Sequence, residues 1–332
     1  MENVQLADLR DGDEADFFAA LTEKVELQTK NGKPYHRVTF RDAAREVSFP
    51  IWNDAPLADV CRNEWTPGTF FKMRATYRET QFGPQLDIHK IRPVNEKDHE
   101  SGFSPDMLKP RSRFEPEAMY DELLEVMRRN IPADRPLLRQ LVEELLDENR
   151  ALWLSMSAAR RNHHVTAGGL LEHTLSVTRT VEYLASRYTE EYPDLALDVP
   201  LAIAGAILHD IGKLIELPQQ QIGPDYTVPG ELIGHLLLGR DMVRDKGIAI
   251  GLDEPTRLHL EHLIIAHQRL PEWGSPKPPM TPESLLVHYA DDTDAKFNIM
   301  YNILKNEPSA GPFTSRKNAL GQKVYRGGPA EE

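Results

Sequence analysis

Two periods of hydrophobic spacing divide this chain. Between Glu14 and about Pro93 the apolar residues fall in short runs with partial alternation, separated by turn-forming residues. Alternation of this kind points to half-buried strands, because successive side chains of a strand leave opposite faces. The runs predict strands over 16–27, 35–40, 45–52, 68–77 and 84–91, with turns at Lys30-Asn31-Gly32-Lys33-Pro34 and around Phe82-Gly83. A short helix is expected from Leu57 to Asn63, between the third and fourth strands.

Beyond Pro116 the period becomes helical. Met119-Tyr120, Leu123-Leu124 and Met127 recur at helix spacing, as do Leu137-Leu138, Leu141-Val142 and Leu145-Leu146. Leu197–Leu208, Leu232–Val243 and Leu285–Met300 continue the pattern, and there is no internal repeat. The expected architecture is multidomain: an N-terminal all-β barrel with the strand and helix order of an OB-fold over 1–95, then an all-α bundle over 117–305. Residues 96–116 are polar and breaker-rich and are expected to link the two; 306–332, mixing Pro, Gly and charge, read as a tail that wraps the surface or is partly disordered, with Arg316, Lys317, Lys323 and Arg326 as alternative phosphate contacts.

Charge complicates any nucleic-acid role. The formal net charge of −13 opposes a general attraction for phosphate, but residues 1–95 hold 13 Lys and Arg against 15 Asp and Glu, so the acidic excess lies in the helical part. A strand-binding groove therefore has to be local. The single cysteine, Cys61, excludes an internal disulfide and suits a reducing compartment. No apolar run approaches the ~20 residues of a membrane helix, and the first residues lack the basic and apolar segments of a signal peptide, so a soluble cytoplasmic protein with no membrane partner is expected.

The densest chemistry is His209-Asp210, at the end of the apolar run Leu197–Leu208. A carboxylate can bridge two cations and a neutral imidazole can bind one, and both side chains reach a common ion most easily at a helix end. Gly212 is expected to close that helix in a left-handed conformation, with Lys213 following where a phosphate oxygen could meet it. Further candidates lie on other predicted helices: His173 in Gly168-Gly169-Leu170-Leu171-Glu172-His173, His235 after Gly234, His267 after Leu258–Ala266, and Asp291 in Asp291-Asp292-Thr293-Asp294. Donors contributed one or two at a time by separate helices are how a bundle builds an interior metal site.

The order His173, His209-Asp210, Asp291 resembles the HD superfamily of metal-dependent phosphohydrolases. The runs Gly168–Leu175, His209-Asp210-Ile211-Gly212-Lys213, Glu272-Trp273-Gly274-Ser275-Pro276 and Asp291–Lys296 look like the YhaM-type 3′→5′ exoribonucleases, which join an OB-fold to an HD domain. The likeness spans nearly the whole chain. That family shows a His-His pair where this chain has His267-Gln268, so one imidazole expected near a second ion is missing.

The resemblance implies Mn²⁺, one or two ions. His173, His209, Asp210 and Asp291 are expected at the first; Asp210, as a bridge, His235 and His267 at the second; Lys213 at the phosphate. Asp294, one helical turn from Asp291, is the reserve ligand. His163, His164 and Gln268 are candidate substrate contacts. In the barrel, single strands bind by stacking on aromatics beside cations. Tyr35, Phe40, Trp52, Tyr77 and Phe82 are candidate platforms with Lys30, Lys33, Arg37, Arg74 and Arg78 as charge partners; Trp52, Phe82, Arg37 and Arg78 lead. The expected activity is 3′→5′ exonucleolytic hydrolysis of single-stranded RNA or DNA to nucleoside monophosphates. The alternatives are an HD hydrolase of free nucleotides and a non-catalytic strand-binding adaptor. A homo-oligomer, a ring of subunits forming a channel, is compatible with the family type.

Overall fold

The computed structural model describes all residues except 1–3, 30, 44, 81–82, 109–111, 113, 159–165, 218–225, 307–310, 317 and 328–332. The chain forms two compact units, Met1–Arg111 and a second comprising Ser112–Gln219 and Pro224–Glu332.

In the first unit, β1 (Glu14–Gln28), β2 (Pro34–Arg41), β3 (Glu46–Trp52), β4 (Phe70–Thr80) and β5 (Gly83–Pro93) form one antiparallel sheet in the order β3-β2-β1-β4-β5. β3 and β5, at the two ends of that order, approach each other and close the sheet toward a barrel. Bulges at Leu21/Glu23 and Arg74/Ala75 supply the bending. β3 shows why the sequence alternates: Val47, Phe49 and Ile51 are buried, while Glu46, Ser48 and Trp52 face outward or lie at its rim. Helix α1 (Ala58–Glu64) buries Ala58 and Cys61 against β2 and β3. This is the OB-fold order the hydrophobic pattern predicts.

Residues 96–108, expected as linker, are partly ordered on this unit. Helix α2 (Glu96–Glu100) is capped by Asn95, and Phe103 packs with Phe18 and Phe70 of the sheet. Asp98, buried, receives both guanidinium nitrogens of Arg92 and lies 3.5 Å from Lys72 Nζ. A polar composition conceals these contacts because one aromatic, Phe103, and one carboxylate, Asp98, suffice to seat the segment.

The second unit is helical: α3 (Pro116–Asn130), α4 (Pro136–Glu148), α5 (Arg150–Ser155), α6 (Gly169–Glu191), α7 (Val199–Leu208), α8 (Lys213–Glu216), α9 (Val228–Leu232), α10 (His235–Ile250), α11 (Glu254–Ala266) and α12 (Pro282–Asn306). α7 is its axis. Every residue from Leu201 to Leu208 is buried, and α3, α4, α6, α11 and α12 pack around it. A helix apolar on all sides belongs in a core. Asp198 caps its first turn through Leu201 N. Gly205 faces the Leu263 side chain of α11, at a distance no added Cβ could share. The buried end of α7 thus delivers His209 and Asp210 into the interior.

Candidate metal centre

The six donors named from sequence converge. His173 lies in the second turn of α6, His209 and Asp210 follow α7, His235 opens α10, His267 follows α11, and Asp291 lies mid-way along α12. His173, His209, Asp210 and His267 are buried; Asp291 and His235 are nearly so.

One cluster is tight. His173 Nε2 lies 3.3 Å from His209 Nε2, 3.4 Å from Asp210 Oδ2 and 3.2 Å from Asp291 Oδ1. His209 Nε2 is 3.4 Å from Asp210 Oδ2 and 4.0 Å from Asp291 Oδ1. Donors each about 2.0–2.2 Å from a common ion stand about 3.0–3.4 Å apart at octahedral to tetrahedral angles and up to about 4.2 Å when opposed, so the first four separations fit adjacent donors of one cation and the last a nearly opposed pair. The other oxygens point to a looser second cluster. Asp210 Oδ1 is 3.5 Å from His235 Nε2 and 3.7 Å from His267 Nε2; Asp291 Oδ2 is 3.8 Å from His267 Nε2. Asp210 Oδ1 is buried without a hydrogen-bond partner among the described residues. An orphaned carboxylate oxygen between imidazoles costs folding energy unless something cationic satisfies it. The donor set therefore fits divalent metal. Both carboxylates, not Asp210 alone, turn one oxygen to each cluster.

The imidazoles are aimed by their other nitrogens. His209 Nδ1 donates to Ala206 O and His267 Nδ1 to Ile264 O, both at 2.8 Å, while His173 Nδ1 meets Asp294 Oδ2 at 2.7 Å and His235 Nδ1 meets Glu216 Oε1 at 3.0 Å. Each bond turns Nε2 toward the cluster. Asp294 is thus the orienting partner of His173 and not a ligand, itself held by Ser176 Oγ. Glu216 also accepts from His235 N, and His288 Nδ1 donates to the His267 carbonyl at 2.7 Å, tying α12 to the end of α11. Glu216, Ser176 and His288 escape sequence reasoning because an orienting contact leaves no spacing signal.

Gly212 differs from the expectation. Its φ of −62° is right-handed, so it does not close the helix by a left-handed turn. Its role is space: a Cβ would lie 2.0 Å from His235 O and 2.5 Å from Gly239 N. The bare backbone lets α10 seat against the His209–Lys213 turn. Lys213 is also closer to the ligands than expected, its buried Nζ 2.6 Å from Asp210 Oδ2. Gln268 reaches the cluster, with its amide nitrogen 3.1 Å from His235 Nε2.

Electrostatics agree with a site built for positive charge. Burial opposes protonation of His173, yet Asp210, Asp291 and Asp294 together hold its pKa well above the ordinary range. Burial also raises the Asp210 carboxyl, but Lys213 and His209 override it and keep it ionised. Burial and the neighbouring His209 lower His267 to about 3, leaving it the neutral ligand a metal requires.

The segment 170–296, which contains all six donors, matches the family model described as HD domain. The helical unit carries an HD domain. Among solved structures the chain is similar to the second OB-fold domain of replication protein A from Methanococcus maripaludis, at 16% identity over 28% of this chain and 96% of that one, with TM-score 0.22. It is also similar to asparaginyl-tRNA synthetase from Pyrococcus horikoshii, at 12% identity over 45% of this chain and 36% of that one, with TM-score 0.24. Both likenesses are remote, and the barrel is read from its own strand order.

On the first unit, Trp52 is half exposed and pairs across the strands with Tyr35, ring centroids 5.0 Å apart. Arg37, two residues from Tyr35, shares that face and pairs with Glu23 at 3.5 Å. Arg78 belongs to a different strand pair, bonded to Asp87 of β5. Phe40 and Tyr77 are buried in the core and cannot be platforms; inward alternation decides this. Phe82, Lys30, His163 and His164 lie outside the described residues. No helix among the described residues is long and apolar enough to cross a membrane.

Proposed function

We propose that this protein is a metal-dependent 3′→5′ exonuclease of single-stranded RNA or DNA that releases nucleoside monophosphates. The six-donor cluster with two carboxylates each split between its halves carries this reading, since it suits two cations on one phosphodiester. His173, His209, Asp210 and Asp291 would hold the first ion; Asp210, Asp291, His235 and His267 the second. Mn²⁺ suits a set of imidazoles and carboxylates without thiolate. Such ions supply Lewis acidity toward the phosphoryl oxygens and an ionised water at neutral pH.

The protein's own groups do the positioning. Asp294, Glu216 and the carbonyls of Ala206 and Ile264 fix the imidazoles, so no reorganisation is needed as charge develops. Lys213, kept protonated against burial by Asp210, supplies a fixed positive charge for a phosphate oxygen. The barrel, through Trp52 and Arg37, would hold the strand. We assign this work to the cytoplasm.

The test uses full-length protein with Mn²⁺, 5′-labelled single-stranded RNA and DNA, the same RNA blocked by a 3′-phosphate, and a panel of free nucleotides. A ladder descending one nucleotide at a time, stopped by the block, is expected. Monophosphate from free nucleotides with intact oligonucleotide would make it a nucleotide hydrolase; binding without turnover would make it an adaptor. An Asp210→Asn variant with full activity refutes the assigned mechanism. Trp52→Ala should weaken strand binding by about 5- to 150-fold, the span of one base–aromatic stack.

A further inference from the structure

The C-terminal segment is built, and the metal centre does not use it. Phe313 and Tyr325 form an antiparallel bridge. Thr314 N donates to Val324 O, Val324 N to Thr314 Oγ1, and Arg326 N to Pro312 O, all at 2.9 Å. Asn318 staples the turn, its amide donating to Ser315 O and Gln322 O at 2.7 Å each. Within the tail expected to wrap the surface or be partly disordered, the described residues between Pro312 and Arg326 thus form a hairpin with two faces. Thr314 and Val324 are buried, whereas Phe313 and Tyr325 are 49% and 59% exposed with ring centroids 5.2 Å apart.

Its charge is as distinctive as its rings. Residues 311–327 contain Arg316, Lys317, Lys323 and Arg326 and no acidic residue, in a chain of net charge −13. Arg316 and Lys323, both exposed on the hairpin, create a positive field reaching about 8–10 Å at ordinary ionic strength. Such a patch on an acidic protein selects anionic partners. Two adjacent exposed rings add what a plain phosphate or an acidic peptide does not need, a flat surface for bases. Aromatics beside cations are the elements of sequence-tolerant single-strand binding.

We propose that the hairpin Phe313–Tyr325 is a second single-strand-binding element, with Phe313 and Tyr325 stacking bases and Arg316 and Lys323 contacting phosphates. The proposal rests on the reading that the chain handles single strands, but not on hydrolysis. The rival occupant is the acidic surface of a second copy of this chain.

The experiment measures anisotropy of a fluorescein-labelled oligo(U) with full-length protein in EDTA, so that no strand is cut. Arg316→Gln/Lys323→Gln keeps the rings; Phe313→Ala/Tyr325→Ala keeps the cations. Each pair is expected to weaken binding about 5- to 50-fold. The charge pair should also reduce the slope of log K against log salt by about 1.4, at ~0.7 per phosphate. If removing the rings loosens the hairpin, the charge pair still decides. Wild-type affinity and salt slope in both variants overturn the proposal. So does a variant that binds RNA normally but sediments as a smaller species, which assigns the face to a second copy. Wild-type protein that binds no oligonucleotide removes this proposal and the exonuclease reading together. Binding lost in the variants, with no shortening by the wild type once Mn²⁺ is restored, removes the exonuclease reading alone.

Discussion

Replacing Gly212 by alanine tests how the two halves of the metal centre are joined. The new methyl would sit 2.0 Å from the His235 carbonyl oxygen and 2.5 Å from Gly239 N, both backbone atoms of α10 that no rotamer change can move. Non-bonded heavy atoms settle at about 3.5 Å, so the start of α10 must retreat by about 1–1.5 Å. His235 Nε2 now stands 3.5 Å from Asp210 Oδ1. The retreat opens this to about 4.5–5 Å, whereas two donors sharing one ion cannot exceed about 4.2 Å. The His235 side of the centre is lost. The His173, His209 and Asp291 side rides on α6, α7 and α12 and is kept. Overpacking of this kind costs about 1–3 kcal/mol, and each kcal/mol lowers the Tm of a unit this size by about 2–4 °C. Thermal melting of the apo protein and Mn²⁺ titration calorimetry read the two effects. The variant should melt lower, keep the tighter site within a few-fold and lose the weaker one. Wild-type melting and an unchanged isotherm would show that α10 does not seat on Gly212, and the account of the second cluster would fail.

Asp294→Ala should weaken the tighter metal site by about 10- to 100-fold by freeing the His173 ring, as calorimetry would show; unchanged affinity means His173 needs no orienting partner. Gln268→His places an imidazole beside His235 and should tighten the second Mn²⁺, read as metal per chain by elemental analysis after dialysis; unaltered stoichiometry and affinity would refute it. Asp98→Asn should destabilise the first unit. Hydrogen bonds from Arg92 hold the Asp98 carboxyl well below its usual range, so its contribution is complete above about pH 4 and fades as the pH falls further. The variant's melting temperature should therefore be lower at pH 7 and converge on wild type in strong acid; parallel curves at all pH values would exclude the pair.

Much of this protein is legible in its residues. Alternation in Val47, Phe49 and Ile51, and the all-apolar run Leu201–Leu208, fix strand and helix by which positions must leave water, a local property of the chain. His209-Asp210 is legible because an imidazole and a carboxylate end a buried apolar run while His173, His235, His267 and Asp291 recur on other helices. The ordered segment at 96–108 and the hairpin at 313–325 are not legible, since their few contacts are outnumbered by polar residues.

By itself, then, the sequence determined the two fold classes, the order of their elements and six candidate donors that come together, because burial periodicity and ligand chemistry are written in residue types. Only the tertiary structure decided which nitrogen of each imidazole faces inward, that Asp291 as well as Asp210 turns one oxygen toward each cluster, that Gly212 serves as a gap, and that Gln268 touches His235. Those are distances between residues far apart in the chain. They are set by how closely helices can approach, and no spacing along one strand of sequence contains them.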